Sequence, residues 1–201
     1  MAVLPMFPLG TVLFPHMPLR LRVFEERYLI MLSELLKAND IRFGVVLIER
    51  GQEVGGGEQR FGIGTIAELL RVTADEGFVN VTAHGAERIE VIEWLDDAPH
   101  PRADVQVLPD LVWDTDLEPL RDNADRVVRR TLAVASEFAE SIWPADLELS
   151  ADPVEASWQL AGIAPLSALD QLALLSCSTL EGLLTKLIKL TEEAAIGYDA
   201  R

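Results

Sequence analysis

Basic side chains are scarce in this 201-residue chain. Seventeen Lys and Arg stand against 33 Asp and Glu, a formal net charge of −16. Nucleic-acid binding draws on Lys and Arg that neutralise phosphates, and docking on anionic lipid draws on the same groups. The charge balance argues against both kinds of partner. Nor does the average hide a basic tail. Residues 1–110 carry 10 basic and 17 acidic side chains, a net of −7, and residues 111–201 carry 7 and 16, a net of −9. Acidity spread this evenly serves solubility.

Cysteine is nearly absent as well. Cys177 is the single one, so no internal disulfide forms, and its run ALLSCSTL marks it as a small buried side chain. The three histidines, His16, His84 and His100, have no His or Cys at metal-ligand spacing. No metal and no cofactor is expected. No uninterrupted apolar run reaches the ~18 residues of a membrane span, and the N-terminus lacks the basic and apolar regions of a signal peptide. A cytoplasmic location is the expectation.

The signatures of chemistry are missing too. No G-x-S-x-G nucleophile elbow occurs. The acidic pairs Asp96-Asp97 and Glu192-Glu193 fall in a turn and on a terminal helix, where they read as solvated surface. No catalytic residue can be assigned, and the chain is expected not to be an enzyme.

What is present is ordinary globular material: 49% hydrophobic and 25% charged residues, in a length sufficient for one domain or two small lobes with a real core. Residues 3–24 read as extended, because Pro5, Pro8, Pro15 and Pro18 forbid helix and confine sheet to short or edge strands. Leu19, Leu21 and Val23 alternate with Arg20 and Arg22 in the period of a half-buried strand. From Glu25 to Ala38 the period lengthens: Tyr28, Leu29, Met31, Leu32, Leu35 and Leu36 line one helix face, with Glu25 and Glu26 suiting its dipole.

Strands are predicted at Phe43–Ile48, Phe61–Val72, Phe78–Ala83, Arg88–Leu95 and Ala103–Leu108. Between them lie a glycine-rich loop (GQEVGGGEQ), an Asp75-Glu76-Gly77 hairpin turn and a turn around His84-Gly85. Gly62 and Gly64 permit bends or a bulge. Six or so short strands with one early helix point to a small closed or nearly closed barrel over residues 1–110. After Pro109-Asp110 the pattern turns helical through residue 201. Leu117–Trp143 is stopped by Pro144. A second helix has Asp152 as N-cap and Pro153 at N1. A third opens at Pro165-Leu166, and a last one runs from about Ser178 to Ala195, before a frayed tail. The fold class is α+β: a barrel with one helix, then a helical bundle.

Taken in order, these segments carry a resemblance. Phe7-Pro8-Leu9, Val12 to Pro15, Leu21 to Tyr28 with Met31, Phe43 to Leu47, Gly64-Thr65-Ile66-Ala67 and Gly85 to Ile89 resemble the N-terminal, substrate-binding domain of the Lon protease family. Asp152-Pro153, Pro165-Leu166 and Asp170-Gln171-Leu172 resemble its helical half. The resemblance implies a PUA-like β-barrel joined to a helical lobe, with a role in recognising unfolded or tagged proteins. The ATPase signature of a full Lon protease, G-x-x-x-x-G-K-[ST], is missing: Gly55-Gly56-Gly57 leads into Glu58 and Gln59, so no lysine can reach a phosphate. Nothing corresponds to the protease domain with its Ser and Lys. A standalone binding domain is the expectation.

The expected partners are unfolded or client proteins, gripped through Phe14, Met17, Phe24, Arg27, Tyr28 and Met31 around the early helix. Arg22 and Arg27 are expected to lock barrel to helix by charge-assisted hydrogen bonds. A scaffold for one folded partner, such as a protease or chaperone, and a small-ligand sensor are the alternatives.

Overall fold

The computed structural model describes residues 2–38, 40–50, 59–138, 143–144 and 146–199. The chain divides into two compact units, Met1–Asp110 and Leu111–Arg201.

The first unit is a six-stranded sheet with one helix. Its strands are β1 (Ala2–Leu9), β2 (Pro18–Val23), β3 (Arg42–Arg50), β4 (Gln59–Asp75), β5 (Phe78–Trp94) and β6 (Arg102–Val107), and helix α1 (Glu26–Ala38) lies between β2 and β3. The sheet order is β2-β5-β4-β3-β1-β6, and a further β5–β6 pairing closes it on itself. The closed ring therefore contains five strands. β2 stays outside the ring, paired to β5 alone, so the unit is not a plain six-strand barrel.

Two differences from the sequence pattern shape this sheet. First, the expected strands at Phe78–Ala83 and Arg88–Leu95 are one 17-residue strand, β5. Its first half pairs with β2 and its second half with β6, while β4 runs along both. Register shifts between Thr65 and Ala67, and between Leu69 and Arg71, let these long strands coil. Second, β1 is internal to the sheet despite Pro5 and Pro8. Residues 2–5 pair antiparallel with β6, and residues 6–9 pair parallel with β3. Each half is thus bonded along one edge, and a residue without an N–H is tolerated there. The hairpin expected at Asp75-Glu76-Gly77 is present, with Gly77 at φ +80°. The glycine-rich loop lies outside the described residues from 51 to 58.

Alternation along β1 sorts two cores. Leu4 and Met6 point into the ring with Val46, Ile66, Ile89, Ala103 and Val105. Phe7 points out, under α1. There its ring stacks on Tyr28 at 3.9 Å and 11°, with Phe43 6.2 Å away. Tyr28, Met31, Leu32 and Leu35, at spacings of three and four, form the buried stripe of α1.

The second unit is helical: a 3-10 turn (Thr115–Leu117), then α2 (Glu118–Phe138), α3 (Pro153–Ile163), α4 (Ala168–Leu175) and α5 (Leu180–Asp199). The α3 start follows the sequence pattern. The Asp152 side chain accepts from Val154 N and Glu155 N, and Pro153 opens the helix. α4 begins later than Pro165, because Ser167 caps it by accepting from Asp170 N. α5 runs past the expected end at Ala195 to Asp199. The expected end of α2 at Pro144 falls beyond its described residues. Leu183, Leu184 and Leu187 of α5 are buried, as are Ala124, Val128 and Leu132 of α2. Cys177 is buried too, with Sγ 3.5 Å from Ala173 O. No described helix is long and apolar enough to cross a membrane.

Candidate functional site

Three of the sequence motifs, with contacting residues as much as 71 positions apart (Phe14 and Gly85), meet at the loop between β1 and β2. Phe14-Pro15-His16-Met17 forms a turn in which Phe14 O accepts from Met17 N (3.3 Å) and His16 has φ 61°. Proline followed by a left-handed residue is the pattern of a type II turn, and histidine fills a place that favours glycine or asparagine. His16 N then donates to Gly85 O (2.8 Å) and Gly85 N to Met17 O (2.9 Å). Two residues of the loop thus oppose one of β5, a β-bulge. Gly85 belongs to a strand, where the sequence pattern suggested a turn, and its role is close approach. A Cβ there would collide with the Phe14 carbonyl. From the other side, buried Thr65 donates its hydroxyl to Leu13 O at 2.6 Å. Arg88, also buried, donates to Pro109 O at 2.7 Å, and Leu108 N donates to Arg88 O. These motifs build the frame.

That frame decides the fate of the six expected contact residues. Phe14, Met17, Tyr28 and Met31 are buried and so have no face to offer a peptide arriving from solvent. Tyr28 and Met31 belong to the buried stripe of α1, and Phe14 and Met17 to the loop that is bonded to Gly85 of β5. Arg27 is half-buried; its Nε lies 3.2 Å from Glu25 Oε2 and its guanidinium 4.5 Å from the centre of the Tyr28 ring. Arg22 stacks over Phe78 of β5 at 3.6 Å. Arg22 thus meets β5, within the sheet, and the Glu25 and Tyr28 contacts of Arg27 lie at the start of α1. The joint between β1 and α1 is the Phe7–Tyr28 stack, an aromatic contact that the arginine-centred motif did not reveal.

Phe24 is the exception. It is 55% exposed, the one aromatic ring among the large apolar side chains that the described residues leave most exposed. It stands between two accessible features. On one side β2 ends, with its outer edge unpaired among the described residues. On the other, Glu25, Glu26, Arg27 and Ile30 at the start of α1, together with Pro99, line an open cleft of about 380 Å³. The 96–101 segment that carries Pro99 is tied down. His100 Nε2 meets Glu34 Oε2 at 2.8 Å, and the Arg60 guanidinium grips both carboxylate oxygens of Asp97 while lying 4.6 Å from the Trp94 ring centre. Sequence spacing offered no sign of these ties, which join residues 37 and 66 positions apart.

Elsewhere the chemistry is sparse. A cleft of about 400 Å³ in the helical unit holds Arg121, Asp122, Asp125 and Arg129, whose charges pair with one another at 2.9 and 2.8 Å. His84 sits in β5, not in a turn, 3.4 Å from Glu68 of β4. Among the described residues no group of three or more His, Cys, Asp or Glu could hold a metal ion.

Comparison with known proteins places this arrangement. Residues 3–193 match the family model of the ATP-dependent protease La (LON) substrate-binding domain. Lon protease from Anaeromyxobacter dehalogenans is 27% identical over 153 residues, covering 70% of this chain and 18% of that protein. The chain thus spans less than a quarter of the length of such curated relatives, and the match falls on their substrate-binding domain, away from the ATPase and protease domains. Two solved structures share the fold. A Lon N-terminal domain protein from Xanthomonas campestris superposes with a TM-score of 0.67 at 23% identity, covering 94% of this chain and 98% of its own. The N-terminal domain of the Mycobacterium avium complex Lon protease also gives 0.67, at 15% identity, covering 96% and 99%.

Proposed function

Because the chain belongs to the LON substrate-binding domain family, we propose that it is a non-catalytic recognition domain for unfolded or exposed apolar segments of client proteins in the cytoplasm. The observation that carries this reading is Phe24. A large aromatic ring held in solvent between an open strand edge and a cleft is the kind of anchor that dominates protein interfaces. Its neighbours Val23 and Tyr28 are buried, so the backbone presenting it is fixed and little ordering entropy is lost on binding. The contact surface is then narrower than the sequence suggested: Phe24 with the half-buried Arg27, whose guanidinium lies over the buried Tyr28 ring.

The test is direct binding. A fluorescently labelled, permanently unfolded model protein is expected to raise its anisotropy on titration without ATP, with a Kd on the order of 10 μM. Phe24→Ser should weaken that binding about tenfold with an unchanged unfolding midpoint. No binding of any unfolded client by the wild-type protein overturns the proposal.

A further inference from the structure

The unpaired edge of β2 has an orientation and a charge that select one kind of occupant. The bond from Gly85 N to Met17 O makes residues 17 and 85 a hydrogen-bonded pair. The β2–β5 register continues without a shift through Pro18↔His84 to Val23↔Val79. In an antiparallel pair, bonded and non-bonded positions alternate. Leu19, Leu21 and Val23 therefore bond to β5, and the N–H and C=O groups of Arg20 and Arg22 face away from it, along the open edge. Both side chains are exposed, and neither has a carboxylate partner among the described residues. In a chain of net charge −16, two adjacent unpaired arginines on one strand edge are a local reversal of sign. The Phe78 ring beneath Arg22, at 3.6 Å, holds one of them in place.

We infer that the β2 edge takes up an extended acidic segment of a client protein as an added strand. The inference rests on the recognition role proposed above and names the class of segment. An added strand places its side chains directly opposite those of β2, about 5 Å away on the same face. Acidic residues at alternate positions then meet Arg20 and Arg22, while the intervening apolar residues lie beside Leu19 and Leu21, which are half-buried. Glu25 and Glu26 begin where the arginines stop, so acidic positions are disfavoured beyond Phe24. The accepted segment is acidic and alternating along β2, then apolar at Phe24.

Amide exchange read by NMR on the whole chain tests this. A seven-residue peptide alternating Glu and Val should slow exchange at the Arg20 and Arg22 amides about tenfold. It should bind more weakly as salt rises. An alternating Lys and Val peptide should leave those amides unchanged, and Arg20→Glu with Arg22→Glu should abolish the protection. No protection by the Glu–Val peptide, or equal protection by the Lys–Val peptide, overturns the inference and leaves the arginines as guards of the strand edge. In either of those cases, binding of the unfolded model protein by the same sample shows that the recognition role stands without it. Protection of the two amides in a protein that binds no unfolded client overturns the recognition role instead.

Discussion

The sheet unit and the helical unit are specified by different kinds of information. In the helical unit each element announces itself locally. Asp152 caps α3 two and three residues away, Ser167 caps α4 three residues away, and leucines at spacings of three and four form the core face of α5. In the sheet unit the deciding contacts are remote. Ala2 pairs with Val105, Thr65 holds Leu13 O, and Gly85 accommodates the Phe14 carbonyl. Local structure in the second unit can thus be altered one helix at a time, whereas one substitution in the first disturbs three strands. The strip proposed for recognition belongs to the more tightly cross-specified unit, in which Phe24 is left exposed.

Three substitutions would break or sharpen that contrast. Gly85→Ala should have the largest effect. Its Cβ cannot coexist with the Phe14 carbonyl, and overpacking against backbone costs about 3 kcal/mol. Amide exchange followed by mass spectrometry should show β1, β2 and β5 all losing protection, and an effect limited to the loop would erase the contrast. Thr65→Val preserves shape and leaves Leu13 O without the hydroxyl. It should lower stability by about 2 kcal/mol in urea unfolding, and a neutral result would show that water replaces the bond. Asp152→Ala removes a cap worth about 1 kcal/mol. Faster exchange confined to the first turn of α3 is expected. Spread of the effect into the sheet unit would show that the helices are not locally specified.

The candidate site was only partly legible. The strand pattern of β2, the amphipathic face of α1 and the family motifs were all readable, because periodicity and turn chemistry are local properties. Which of the six marked side chains reach solvent was not readable. Tyr28 and Phe24 are both aromatic and lie four residues apart, yet one is 1% exposed and the other 55%. Tyr28 is covered because Phe7, from another strand, stacks on its ring at 3.9 Å, and that pairing is set by distant residues. In the same way, the arginines of that motif read as ties between sheet and helix, whereas the stack of Phe7 from β1 on Tyr28 left no sign in the spacing.

By itself, the sequence determined the class of the molecule: an acidic α+β chain of the LON substrate-binding family, with strands before helices and with α3 beginning at an aspartate–proline cap. Charge, periodicity and capping are written in neighbouring residues, and one chain suffices to read them. The tertiary structure alone decided that β5 is a single strand serving three partners, that β1 changes partner midway, and that β2 is left with an open edge. Those outcomes depend on which distant backbones meet, and pairing between residues 100 positions apart leaves no period in the sequence to reveal it.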